Sequence, residues 1–233
     1  MANPDSDTSI MGGEHQFKTT RWNLVQNGGD VKALDALIHI YWRPLYFFVR
    51  QHGHDNETSK DIVQAFLTSF LERGGFEHAT PARGRFRTFL LTSLEHFMRD
   101  RARAAASQKR GGGKPTLSLD FDRGEAEFMR ESKREESPTT TLNRAWARSL
   151  LEQSLSELQG EPAHLEAFRL YRAGADLKTI AQKTALTESA AQSAVHRLKG
   201  RLKDIIVGHI RESVSSREDL QAEVAEFMAL LAD

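Results

Sequence analysis

The sequence predicts an all-α protein built as two small helical domains joined by an irregular linker. Apolar residues recur at helical spacing along most of its 233 residues. No run shows the bounded alternation of β-branched residues that a sheet requires. One stretch, 108–139, interrupts the helical pattern with glycines, prolines and mixed charge. These observations divide the chain into a disordered tail (1–16), a first domain (17–107), the linker (108–139), a second domain (140–211) and a helical extension (212–233). The linker has room for a short extended piece at 117–121.

The elements follow in order. A short helix is expected after "TTRWNLV", capped by Thr19 or Thr20. Asp30 caps a longer one through Leu34, Leu37, Tyr41, Trp42, Leu45 and Phe48, with a kink expected at Pro44. In the next helix Ile62, Val63, Phe66, Leu67, Phe70 and Leu71 form one face, and Asp61, Gln64, Thr68 and Glu72 the other, with Gly74 and Gly75 as its stop. A fourth helix, 84–106, turns Phe86, Phe89, Leu90, Leu94, Phe97 and Met98 inward. Beyond the linker, Trp146, Leu150, Leu151, Leu155 and Leu158 open the second domain. Leu220, Val224, Phe227, Met228 and Leu231 give the extension helical spacing.

Composition narrows the function. There is no cysteine, so disulfides and thiolate metal sites are excluded, and a cytoplasmic location is the expectation. No segment approaches the roughly 20 apolar residues of a membrane span. "GGGKPT" is not a phosphate loop, because a Walker motif needs Gly at Gln108 and Ser or Thr at Pro115. The histidines show no metal pairing. The reading is therefore a non-enzyme without metal or cofactor.

Net charge is zero but segregated. Arg83, Arg85, Arg87, Arg99, Arg101, Arg103, Lys109 and Arg110 face only Glu95 and Asp100 in the first basic segment. Lys178, Lys183, Arg197, Lys199, Arg201, Lys203 and Arg211 dominate the second. The balancing acids lie in the N-terminal tail, between Asp120 and Glu136, and after Glu212. Two polyanion-binding surfaces account for this pattern better than a uniformly neutral surface.

The second basic segment, "ADLKTIAQKTALTESAAQSAVHRLKGRLKDII", reads as a helix-turn-helix. Leu177, Ile180 and Ala181 make a short helix, "TALT" the turn, and Thr187 caps a long helix from Glu188. The N-terminal residues of such a second helix reach base edges, which nominates Ser189, Ala190, Gln192 and Ser193 with Thr187, followed by His196, Arg197 and Arg201 toward phosphates. A helical hairpin with a solvated basic face fits the same pattern. The first segment, "RGRFRTFLLTSLEHFMRDRARA", sets arginines among aromatic rings, which suits single-stranded nucleic acid. Phe89 and Phe97 read as core, and Phe86 as the stacking candidate.

Together "YWRPLYFFVRQHGHDNETSKDIVQAFLTSFLERGGF", "GRFRTFLLTSLEHFMRDRARA" and "LKTIAQKTALTESAAQSAVHRLKGRLK" resemble, in order and spacing, RNA polymerase sigma factors of the extracytoplasmic-function (ECF) type. The long linker and the extension suggest a subgroup. The resemblance implies a sigma region 2-like bundle followed by a sigma region 4-like helix-turn-helix. It also implies partners: the polymerase core (β′ and β subunits) and promoter DNA, with an anti-sigma protein or Ser/Thr kinase as regulator. Asp61, Gln64 and Thr68 would dock a β′ coiled coil. Arg83, Arg85, Phe86 and Arg87 would capture a flipped base of the −10 element, and Arg99 and Arg103 its phosphates. The helix from Glu188 would read the −35 element, and the linker acids Asp120, Asp122, Glu125 and Glu127 would lie along the RNA path.

The chain departs from the family where acids are common, at Thr58, Lys60 and Ala65, and where bases are common, at Gln192 and Ala194. Thr58 and Ser59 are candidate phosphosites, because a phosphate at a helix N-terminus would restore negative charge to the docking face. Simple capping is the plainer role for both. Competing readings are a degenerate sigma homologue or a two-domain DNA-binding regulator that does not direct initiation.

Overall fold

A computed structural model describes residues 31–73, 85–107, 117–131, 136–214 and 216–232, and these are helical, with no strand among them. The all-α class therefore holds. The expected helix after "TTRWNLV", the Asp30 cap, the Gly74–Gly75 stop and Arg83 lie outside the described residues.

Helix α1 (Val31–Gln51) is the centre of the molecule. From Ile40 to Val49 every apolar side chain is buried, including Tyr41, Trp42, Tyr46 and Phe47. A helix apolar on all sides must be surrounded, and here other helices enclose it. Pro44 lies within α1, which continues past it. Helix α2 (Asn56–Glu72) starts at Asp55, whose carboxylate accepts from the Thr58 amide at 2.7 Å. It buries Ile62, Val63, Phe66, Leu67 and Phe70, the face its periodicity marks. Helix α3 (Phe86–Ser107) adds Phe86, Leu90 and Leu94 to the same core.

The supposed linker contains a helix. Helix α4 (Phe121–Glu131) buries Phe121, Gly124 and Phe128, an i, i+3, i+7 stripe, against α1. Phe121 meets Trp42 and Tyr46 edge-on at 5.1 and 5.5 Å, and Phe128 meets Phe47 at 5.5 Å. Gly124 permits the approach, since a Cβ there would lie 3.0 Å from the Trp42 ring. Glu125 accepts from Arg50 Nε at 2.9 Å and Nη2 at 2.8 Å and from the Tyr46 hydroxyl at 2.5 Å. Residues 117–120 are irregular rather than a strand. Two phenylalanines and one small residue are enough to dock a short, highly charged helix whose mean polarity suggests a loop.

Helix α5 (Pro138–Ser156) begins at the Ser137 cap with Pro138 in its first turn. It lies along α1 and buries Leu142, Ala145, Trp146, Ala147 and Leu150. Helix α6 (Pro162–Arg172), α7 (Leu177–Thr184) and α8 (Glu188–Arg211) form the helix-turn-helix unit, with two smaller clusters around Phe168, Val195 and Leu198 and around Ala167, Leu170, Ile180 and Ala191. Helix α9 (Arg217–Ala232) then returns to the main core and buries Leu220 and Phe227. The core thus runs without a break from α1 through α5 to Ile210 and α9, so it does not divide at 108–139.

Candidate nucleic-acid interface

The α7–α8 unit has the geometry its sequence predicts. Asp176 caps α7 through the Thr179 amide at 2.8 Å, and hydrogen bonds from the Thr179 hydroxyl and then its amide hold the Asp176 carboxyl below the usual carboxylate range. Ala185 reverses the chain in the left-handed region at φ +56°. Thr187 caps α8 by accepting from the Ala190 amide at 3.1 Å. Ala191, Ala194, Val195 and Leu198 point inward and are buried. Their small first members let α8 cross close to α7. Ser189, Gln192, Ser193, His196 and Arg197 are consequently exposed with Thr187 on the outer side, and Ala190 is half-buried.

Arg201 is exposed too, and its Nη1 donates to the Gln159 carbonyl at 3.1 Å. With Arg197 and His164 it lines a cleft of about 240 Å³ between α6 and α8. The exposed Ser189, Gln192 and Ser193 near the start of α8 are small or neutral, and the positive charge lies further along the helix. The outer face of α8 therefore carries hydroxyls and an amide near its start and cations further along.

The first basic segment is split in two. Arg99 and Arg103 are exposed at the far part of α3, where Arg99 Nε donates to the Glu95 carbonyl at 3.3 Å and Arg103 lies 3.6 Å from Asp100. Phe86 and Arg87 are enclosed instead, and Arg85 is half-buried. Phe86 is a core ring, 3% exposed and edge-on to Tyr41 at 5.0 Å, so the expected stacking position is closed here. Its amide donates to the Ser213 carbonyl at 3.3 Å. Arg87 is packed over Trp146 at 4.2 Å. Both arginines meet Glu223 and Glu226 of α9, partners that only the extension's place in the core reveals. An Glu-x-x-Glu spacing beside Phe227 was the available signal.

On α2, Asp61 is exposed, and Gln64 and Thr68 are half-buried on the same polar side. Lys60 pairs with Glu57 at 3.0 Å and reaches Asp122 of α4 at 3.5 Å. The Thr58 hydroxyl donates to Asp55 at 3.1 Å. Ser59 is fully buried, and its Oγ has no hydrogen-bond partner. A kinase cannot reach it while α2 is folded, which leaves Thr58 as the accessible candidate. Of the four linker acids, Glu125 and Glu127 are engaged with α1, Glu127 through Arg43 at 3.1 Å, and only Asp120 and Asp122 are fully exposed.

No group of histidines and carboxylates suited to a metal ion occurs among the described residues. No helix among them is long and apolar enough to cross a membrane. Comparison with protein-family models, with curated proteins and with solved structures returns no match for this chain.

Proposed function

We propose that this chain is a transcription initiation factor of the ECF sigma type, acting in the cytoplasm with core RNA polymerase on promoter DNA. The observation that carries the reading is the α7–α8 unit, whose outer face gathers Ser189, Gln192, Ser193 and His196 ahead of Arg197 and Arg201. That is the order in which a recognition helix meets bases and then phosphates. In this reading α8 engages the −35 element, α3 with its preceding arginines engages the −10 element, and the Asp61–Gln64–Thr68 face of α2 docks on the polymerase. Melting requires no catalysis, since binding of the unpaired strand offsets a cost of about a few kcal/mol per extruded base.

The test is runoff transcription with purified core polymerase on promoters selected by the reconstituted holoenzyme. Promoter-dependent transcript, lost on Arg197→Ala with Arg201→Ala, is the expected result. Tight duplex binding in the absence of core, with no transcript, would support the regulator reading instead. The enclosed Phe86 and Arg87 are the specific observation that favours that second reading.

Regulation by phosphorylation at Thr58 belongs to the same proposal. Thr58 stands in the first turn of α2, where the helix dipole favours a phosphate, although Asp55 and Glu57 oppose it. Thr58→Glu is expected to strengthen binding to core polymerase and Thr58→Ala to remove any response to kinase treatment. Equal affinity for all three chains, treated or not, removes this part of the reading.

A further inference from the structure

The contact between α9 and the start of α3 is an unusual way to hold a helix down. Arg85 Nη1 lies 2.9 Å from Glu223 and also pairs with Glu226. Arg87 Nη2 lies 3.2 Å from Glu223 and 3.0 Å from Glu226. The Arg87 side chain is 6% exposed and that of Glu223 1%. Asn143 of α5 reaches Glu226 at 3.5 Å.

An ion pair this dry contributes little net stability, because desolvation cancels most of the attraction. The pairing is also incomplete, since the buried Arg87 Nη1 has no partner. Leu220 and Phe227 already anchor α9, Phe227 edge-on to Trp146 at 5.9 Å. Apolar residues at 223 and 87 would hold it more firmly. Stability alone therefore does not account for these charges. Two guanidinium groups bridged by paired oxygens, one of them packed over an indole, form the arrangement with which proteins hold phosphates.

We propose that α9 is an internal mimic of nucleic acid: the Glu223 and Glu226 carboxylates take the places of single-stranded DNA phosphates on Arg85 and Arg87, and release of α9 uncovers that site. The proposal rests on reading Arg85 and Arg87 as nucleic-acid-binding residues. It explains why Arg87 is enclosed in a chain whose charge pattern marks it for contact with a polyanion. DNA and α9 compete for one site, so each excludes the other.

The experiment measures binding of a fluorescent single-stranded DNA oligonucleotide of mixed sequence to the full-length chain, to Glu226→Gln and to Glu223→Gln/Glu226→Gln. Affinity is expected to rise about tenfold on relief of the competing pairs. Adding Arg85→Ala is expected to abolish the gain, and saturating oligonucleotide to speed amide exchange across 217–232 in the natural chain. Unchanged affinity in folded Glu226→Gln overturns the proposal, as does a gain that survives Arg85→Ala. Glu226 sits at the edge of the cluster, so Glu226→Gln decides the matter even if the double variant does not fold. Tighter oligonucleotide binding with no promoter-dependent transcript leaves the mimic standing and removes the sigma reading. Promoter-dependent transcript with equal oligonucleotide affinity in all chains does the reverse.

Discussion

Ala185 and Glu223 show how single residues carry strain in this chain. Ala185 is the only described non-glycine residue at positive φ, in the turn between α7 and α8. A left-handed conformation costs an L-residue about 1–2 kcal/mol, and glycine adopts it freely at some cost in unfolded-state entropy. Ala185→Gly is thus expected to raise stability by about 0.5–1 kcal/mol in urea unfolding, and Ala185→Val to lower it. Glu223 carries electrostatic strain. Burial pushes its carboxyl above the ordinary range, outweighing Arg87 and Arg85, while Glu226 and Asp219 push the same way. The buried Tyr41 phenol of α1 also shares the site's electrostatics. Between the ordinary and the raised value the folded chain keeps a proton that the unfolded chain has lost. This contribution to stability is therefore present at low pH and lost as pH rises through that window. As pH rises above the ordinary carboxylate range, melting temperatures are expected to fall less steeply for Glu223→Gln than for the natural chain.

At the level of elements, α4 is the clearest case of packing overriding composition. Its residues are mostly charged, yet Phe121, Gly124 and Phe128 seat it on α1, and Arg50 and Tyr46 satisfy Glu125. Gly124→Ala would place a methyl 3.0–3.1 Å from Trp42 ring atoms. A cost of about 1–3 kcal/mol is expected in denaturant unfolding, with faster amide exchange in α4. In the sequence this helix was hidden because three apolar positions among many charges give a weak periodic signal. The helices with wider apolar faces, α2 above all, were legible from their spacing alone. The helix-turn-helix was legible for a different reason: its small residues, its capping threonine and its tight turn are all local. Thr187→Ala is expected to cost about 1 kcal/mol through the lost Ala190 cap.

For the whole molecule, the shared core matters more than the apparent boundary between domains. Trp146 of α5 meets Phe227 of α9 and the Arg87 guanidinium of α3, so it joins parts of the chain that the sequence assigns to separate units. Trp146→Ala is expected to cost about 3–5 kcal/mol and to loosen α9 together with the start of α3. Coincident loss of exchange protection in both segments would confirm the coupling, whereas loosening of α9 alone would refute it. The same packing explains the fate of the predicted site. The α8 face is open because its inward residues are fixed by local helix geometry. The Arg85–Arg87 segment is closed because residues more than 130 positions later lie across it.

What the amino-acid sequence determined by itself was everything set by short-range periodicity and capping: the helical class, the buried faces of α2 and α3, and the α7–α8 unit with its exposed polar side. Tertiary structure alone decided that 121–131 folds as a helix, that the core crosses the expected boundary, that Phe86 packs on Tyr41, and that Arg85 and Arg87 pair with carboxylates of α9. Periodicity records which face of a helix is apolar, but not which distant helix will cover it. Nor does it record whether a cation there will meet solvent or a carboxylate.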